Sequence, residues 1–315
     1  MSENYFSTSF LERRAEKRCN EKWIEAKLAD KSTLFLVLNK DLNLFSRENP
    51  QQPVYLSAAD FKIHGIPFDS AILLGTEKNR AFFAADILDS SIAAAVEETK
   101  SAKFTDLKKT AALLAAKESA LLAFARAMVY WHSRQRFCGT CGSRTISKEA
   151  GNLLQCVNKN CGQSHFPRTD PAIIVLVSDG DRCLLGSQPP WPENMFSTIA
   201  GFVEPGESLE QAVKREVQEE TNIEVSDIKY ISSQPWPFPS SLMLGFSAKA
   251  VSDNININDN ELEEARWFSR QEIAAKLAEG SLKLPSRFSI AYRLIETWFD
   301  DGEMENLKNI FNSIT

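Results

Sequence analysis

Residues 201–223 read GFVEPGESLEQAVKREVQEETNI, and five glutamates (Glu207, Glu210, Glu216, Glu219, Glu220) follow the Pro205-Gly206 turn within this stretch. Ser208 and Gln211 form a capping-box pair, so the spacing predicts a helix that starts there. At about 100° per residue, Leu209, Val213, Glu216 and Glu220 share one stripe. Two carboxylates thus prolong a line of inward-facing apolar residues. A glutamate-rich helix is most often a solvated face. Here that reading would leave Glu216 and Glu220 as half-buried anions repelling each other. A hard divalent cation removes the conflict, since Mg2+ prefers carboxylate oxygens and keeps positions open for phosphate groups.

At 315 residues the chain is long enough for two domains or more. Its 43% hydrophobic and 25% charged residues are ordinary for a soluble globular protein. No apolar run is long enough to span a bilayer. The start, MSENYFSTSFLERRAEKRCNEKW, lacks the apolar core of a secretory signal, and its acidic residues argue against a mitochondrial presequence. The terminal NSIT matches no retention or peroxisomal address, which leaves the cytoplasm as the expected location. A net charge of −6 argues against broad binding to nucleic-acid phosphates. Arg134, Arg136, Arg144 and Arg168 are close enough in sequence to form a local basic patch; ordinary surface charge is the reading favoured here.

The chain reads as an α+β protein in three parts: a mixed domain over 1–134, a cysteine module over 135–168 and a second α/β domain over 169–315. Thr33 to Asn39, Ala71 to Gly75 and Ala81 to Ile87 read as short strands, and Ala111 to Gln135 as a helix with Leu113, Leu114, Leu121, Leu122 and Phe124 available to pack. This first part carries no motif that converts into chemistry, so a packing or dimerisation role is expected. Then Cys138-x2-Cys141-x14-Cys156-x4-Cys161 supplies two cysteine pairs that can wrap one tetrahedral Zn2+ in a closed, structural site. His165 is a possible substitute for Cys161. With no sign of secretion, disulfides are the weaker reading. Cys183, in the apolar RCLLG, is expected in the core. Pro171 to Gly186 reads as a hairpin about Ser178-Asp179-Gly180-Asp181. Two amphipathic helices, Arg270 to Glu279 and Ser289 to Phe299, are expected to close the chain.

Ser233 to Met243 reads SQPWPFPSSLM. Prolines at every second position forbid a regular helix and predict a stiff, extended loop that holds Trp236 and Phe238. Rigid aromatics suit stacking on nicotinamide or adenine, and they equally suit a core. Residue chemistry leaves both open.

Gly201, Glu207, Arg215, Glu216, Val217, Glu219, Glu220 and Ile223 together resemble the Nudix box, G-x5-E-x7-R-E-U-x-E-E-x-G-U, with U aliphatic. Asn222 replaces the last glycine, and asparagine is the usual second choice in the left-handed conformation that closes a helix. The array Gln234, Pro235, Trp236, Pro237, Phe238, Pro239 and Ser241 is similar to the mark of the NADH pyrophosphatase subfamily, as are a zinc ribbon before the Nudix domain and the junction of Phe166, Pro167, Arg168 and Pro171. The resemblance covers roughly residues 135–300. It implies a Nudix α/β/α sandwich in which Glu216 and Glu220, helped by the Ala200 carbonyl and Glu261, hold Mg2+ or Mn2+. Glu219 is a further metal or water-positioning candidate, so Glu216, Glu219 and Glu220 are the implied catalytic residues. Arg215 is implied to pair with Glu207 and brace the helix. Gln234, Pro235, Trp236, Pro237, Phe238, Pro239, Ser240 and Ser241 are implied to line a dinucleotide pocket, with Ala291 as a wall; Phe166 stands where some relatives have tyrosine, so it can stack but not donate a hydrogen bond. The implied reaction is hydrolysis of NAD(H) to nicotinamide mononucleotide and AMP, with removal of NAD caps from RNA 5′ ends by cutting the same bond, in a homodimer. Competing expectations are a Nudix hydrolase of ADP-ribose or another nucleoside diphosphate derivative, and a zinc-ribbon nucleic-acid binder on an inactive Nudix scaffold. The aromatic-proline array argues against the first, and the complete set of box carboxylates against the second.

Overall fold

The protein is described by a computed structural model covering residues 4–257, 261–302 and 306–314. Met1, Ser2 and Glu3 of the start and Thr315 of the terminal NSIT lie outside the described residues. The chain divides into two compact units, one of Phe6–Thr169 with Trp236–Ser240, the other of Met1–Tyr5, Asp170–Pro235 and Ser241–Thr315. Among the described residues, no helix is long and apolar enough to cross a membrane.

The first unit opens with α1 (Glu21–Ala29), β1 (Leu34–Asn39), β2 (Leu42–Ser46), α2 (Ala58–His64), β3 (Ile72–Glu77), β4 (Arg80–Asp86), α3 (Ser90–Thr99), β5 (Ala102–Thr105), α4 (Leu107–Thr110) and α5 (Ala116–Arg134). Its sheet runs β3-β4-β1-β2-β5, with β1 parallel to β4. Alternation along β1 sends Phe35 and Val37 into a core with Phe61 and Phe83; Leu36 and Leu38 are also buried, on the face α5 covers. The strands expected at 33–39, 71–75 and 81–87 are present within a residue or two. The helix expected from Ala111 starts instead at Ala116. Asp106 caps an earlier turn at Leu107, and the backbone is extended at Leu114 and Ala115, which lets Leu114 enter the core while Leu113 stays 57% exposed.

The cysteine module contributes β6 (Thr145–Lys148), β7 (Leu153–Cys156) and β8 (Ser164–His165), paired in that order. It is tied to the preceding domain at Gly151. There the backbone approaches Ile72 so closely that a Cβ would lie 2.9 Å from three of its atoms; His132 Nε2 meets the Gly151 carbonyl at 2.7 Å, and Asn152 donates to the Leu73 carbonyl at 3.0 Å.

In the second unit, β9 (Asp170–Ser178) and β10 (Arg182–Ser187) form the expected hairpin; β11 (Ile199–Phe202), α6 (Leu209–Thr221), β12 (Val225–Trp236), β13 (Ser241–Ala250), β14 (Glu264–Ser269), α7 (Arg270–Ala278), α8 (Ile290–Asp300) and α9 (Leu307–Ile314) follow. The sheet runs β12-β13-β9-β10-β14, and β11 also pairs with β9. Central β9 divides its side chains between two cores. Ile173, Val175 and Val177 meet Val213 and Val217 of α6, whereas Ile174 and Leu176 meet residues of α7 and α8. A sheet buried on both faces reads as a continuous apolar run, as IIVLV does. This is an α/β/α sandwich within an α+β chain. Two expectations are corrected. The proline segment is not a loop throughout, because Gln234 to Trp236 finish β12 and Ser241 begins β13. Nor does α8 close the chain: α9 follows and returns Leu307, Ile310 and Phe311 to the α7–α8 core, the i, i+3, i+4 spacing of one helix face.

Candidate active site

Helix α6 starts where its capping box predicts. Ser208 accepts from the Gln211 amide, and the Gln211 side chain accepts from Ser208. Asn222 ends it at φ 60° and ψ 18°. The expected stripe faces inward, with Val213 fully buried, Glu216 9% exposed and Glu220 2% exposed. Glu219 lies on the exposed side.

Arg215 organises the strand-to-helix segment. Its Nε and Nη2 donate to the two oxygens of Glu207 at 2.6 and 2.9 Å. Nη2 also donates to the Phe202 carbonyl of β11 at 2.9 Å, and Nη1 donates to Glu216 at 2.9 Å and Glu219 at 3.1 Å. The planar fork of guanidinium suits such a hub; a lysine ammonium has no equivalent geometry. Arg215 and the Glu204 amide hold the Glu207 carboxyl at about 2. Glu216 responds in the opposite direction. Burial pushes its pKa up and outweighs the pull of Arg215, and the charges of Glu219 and Glu261 push it further.

The glycine that opens the segment has a physical role that sequence reading missed. A Cβ on Gly201 would lie 1.9 Å from Cδ of Glu216. The carboxylate rests in the space a side chain would fill, against the backbone of β11. Ala200, the residue before, sits inside β11 opposite Ile174. Glu261 is exposed, beside buried Leu262, and is near enough for its charge to act on Glu216. The fit to a hard cation rests on the donor set: two buried carboxylates on one stripe, Glu219 and Glu261 near enough for their charges to act on Glu216, and a glycine hollow that accommodates the Glu216 carboxylate.

Gln234 is fully buried. Its Nε2 donates to the Phe288 carbonyl at 2.7 Å, and its Oε1 accepts from the Ile290 amide at 2.7 Å. The carboxamide therefore staples the end of β12 to the start of α8, a role whose partners lie more than fifty residues away in sequence. Ala291 is 5% exposed, within the α8 core. Pro235 and Pro239 are exposed, Pro237 is buried, and Trp236, Phe238, Ser240 and Ser241 are half-buried. Trp236 and Phe238 lie edge to face at 5.3 Å, and Phe6 meets them at 6.0 and 5.8 Å. Lys108 Nζ and Arg126 Cζ lie 4.9 and 5.2 Å from the Phe238 ring centroid. Phe166 is 66% exposed.

The thiols of Cys138, Cys141, Cys156 and Cys161 all lie within 4.8 Å of one another. Cys138 and Cys161 sulfurs are 3.8 Å apart, and those of Cys141 and Cys156 3.4 Å. A tetrahedral zinc with Zn–S bonds of about 2.3 Å separates its sulfurs by about 3.8 Å. Gly142 and Gly162, each following the second cysteine of its pair, take φ of 71° and 56° and turn the chain back. Burial pushes the Cys138 thiol up, yet amide hydrogen bonds from Thr140 and Cys141 and one from His165 bring it to about 5; burial pushes Cys156 up to about 12. A zinc ion bound there would hold its cysteine ligands as thiolates. His165 stands outside the group of four thiols that could hold a metal ion, and it hydrogen-bonds to Cys138. Cys183 is fully buried in the core, as expected.

The chain matches three family models. Residues 168–288 match the NUDIX domain, residues 133–166 the NADH pyrophosphatase zinc ribbon domain, and residues 32–131 an NADH pyrophosphatase-like rudimentary NUDIX domain. The chain is 37% identical to the NAD-capped RNA hydrolase NUDT12 of Macaca fascicularis, over 94% of this chain and 73% of that protein. It is 44% identical to the NAD-capped RNA hydrolase NudC of Mycobacterium bovis, over 62% of this chain and 66% of that protein. A solved NUDIX hydrolase from Nitrosomonas europaea aligns with 53% of this chain and 91% of its own at 23% identity and a TM-score of 0.43. The chain belongs to the Nudix hydrolase family, a class of enzymes that cleave pyrophosphate bonds, and within it to the NADH pyrophosphatase subfamily with a zinc ribbon.

Proposed function

We propose that the protein hydrolyses the pyrophosphate bond of NAD(H), giving nicotinamide mononucleotide and AMP, and removes NAD caps from RNA 5′ ends by cutting the same bond. The observation that carries this reading is the similarity over 94% of the chain to a protein named as an NAD-capped RNA hydrolase. The Gln234–Ser241 array and the complete carboxylate set of α6 support it.

Glu216 and Glu220, with the Ala200 carbonyl and Glu261, would hold Mg2+ or Mn2+. Bound there, such a cation neutralises phosphate oxygens and lowers the pKa of a water. A glutamate among Glu216, Glu219 and Glu220 accepts the proton of the attacking water. The phosphorus–oxygen bond of the anhydride breaks, and each product leaves with one phosphate. Arg215 fixes Glu207, Glu216 and Glu219 through its hydrogen bonds, while Gln234 fixes the end of β12. The rings of Trp236 and Phe238, Pro235, Pro237, Pro239, Ser240 and Ser241, together with Phe166 and Ala291, form the proposed dinucleotide-binding set. The four-cysteine ribbon is structural, residues 1–134, 135–168 and 169–315 act as three domains, and the working form is a cytoplasmic homodimer.

Parallel kinetics on NADH and ADP-ribose test the assignment. A kcat/KM for NADH that exceeds that for ADP-ribose is expected; the reverse order contradicts the substrate assignment while leaving the Nudix chemistry intact.

A further inference from the structure

Residues 135–168 hold five basic residues (Arg136, Arg144, Lys148, Lys159, Arg168) against one acidic residue, Glu149, in a chain whose net charge is −6. Positive charge is therefore concentrated on the ribbon. Two of these arginines line one cavity of about 480 Å³ within the first unit, together with His132, Phe137, Ser147 and, as the one acid, Asp69. That volume falls in the range of about 300–1,000 Å³ typical of small-ligand sites. Arg136, Arg144 and Phe137 are all exposed, Phe137 by 58%. Phe137 and Arg144 are neighbours across an antiparallel bridge, and the Arg136 carbonyl accepts from the Thr145 amide at 3.0 Å, so the backbone sets Phe137 and Arg144 side by side, and all three residues line the cavity. A large apolar ring is thus exposed at a cavity that it lines together with two arginines.

We infer that this cavity binds single-stranded RNA, with Arg136 and Arg144 on backbone phosphates and the Phe137 ring stacked on a base. Arginine beside an exposed aromatic is the chemistry that grips unpaired nucleotides without reading sequence. The inference rests on the proposed action on NAD-capped RNA: the cavity holds the RNA body, a part of the substrate that free NADH lacks.

The test compares wild type with Arg136→Ala/Arg144→Ala and, separately, Phe137→Ala, using NADH, an NAD-capped RNA and a fluorescent uncapped RNA of the same sequence. Turnover of NADH reports on folding and catalysis and is expected to stay within about twofold. For capped RNA, kcat/KM is expected to fall about tenfold or more through KM, on the scale of lost charge-assisted bonds. The salt slope of uncapped-RNA binding is expected to become shallower by about 0.7 per phosphate contact removed. Equal losses on NADH and capped RNA, unchanged RNA binding in both variants, or no RNA binding by wild type overturn the inference. Wild type that cleaves neither NADH nor capped RNA sinks the proposed reaction instead; the binding arm still decides the cavity.

Discussion

Glu216 and Gly201 form one device made of two residues. The carboxylate occupies the hollow left by the missing side chain, with the Cβ position 1.9 Å from Cδ. Because the clash would fall on the far end of a flexible side chain, Gly201→Ala should displace Glu216 without unfolding the domain. A misplacement of about 1 Å at a reacting group can cost about 100-fold in rate, so kcat/KM should fall by that order with little change in Tm; unaltered activity would show that the hollow is irrelevant. Glu216→Gln should separate function from stability. Burial raises the pKa of this carboxyl, so its charge opposes folding at neutral pH. The variant should lose activity, and the metal-free protein should become more stable at neutral pH, read by denaturant melts; a loss of stability would contradict this. Glu207 works the other way. Its folded pKa of about 2 lies below the ordinary 4.5, so the stabilisation it gives is complete above 4.5 and is lost as pH falls toward 2. Glu207→Gln should therefore be less stable at neutral pH and should show a shallower loss on acidification; parallel stability curves for the two proteins would refute this.

At the scale of elements, α6 was legible because everything that defines it is local. Ser208, Gln211 and Asn222 set its ends, and the spacing of Leu209, Val213, Glu216 and Glu220 sets its inward face. Ser208→Ala should cost about 1 kcal/mol, and Asn222→Gly should change stability by little, because glycine also accepts φ 60°. Chemical denaturation of both variants checks this; a large loss in Asn222→Gly would give its 3.0 Å bond from Gln218 more weight than its conformation. Other elements were not legible because their determinants are distant. Gln234 acts through Phe288 and Ile290 of a later segment. The prolines at 235, 237 and 239 predict a stiff, extended loop, whereas pairing with β13 draws Gln234 to Trp236 into a strand. The alanine-rich run from Ala111 has helix propensity throughout, yet burial of Leu114 and the cap at Asp106 break it. Tertiary demands outweighed propensity there.

For the whole molecule, the resemblance read from the second half of the sequence extends to a chain-long match, and it changes how the first half is seen. Residues 32–131 match a rudimentary NUDIX domain, and its long helix α5 carries a single glutamate, Glu118, near its start. Without a carboxylate stripe there was no chemical signal to read. The ribbon is different, because cysteine spacing alone forecast its four-thiol cluster. Cys161→Ser should reduce bound zinc well below one ion per chain, whereas His165→Ala should retain it, as measured by atomic emission; the opposite pattern would make the histidine the fourth ligand. The central claim, that α6 cuts the pyrophosphate of NAD(H), is tested most directly by mass spectrometry of products. Purified protein is incubated with NADH and Mg2+ or Mn2+, beside Glu220→Gln. Reduced nicotinamide mononucleotide and AMP from wild type, and neither from the variant, is the predicted result. Intact NADH with wild type, or equal cleavage by both proteins, would contradict it.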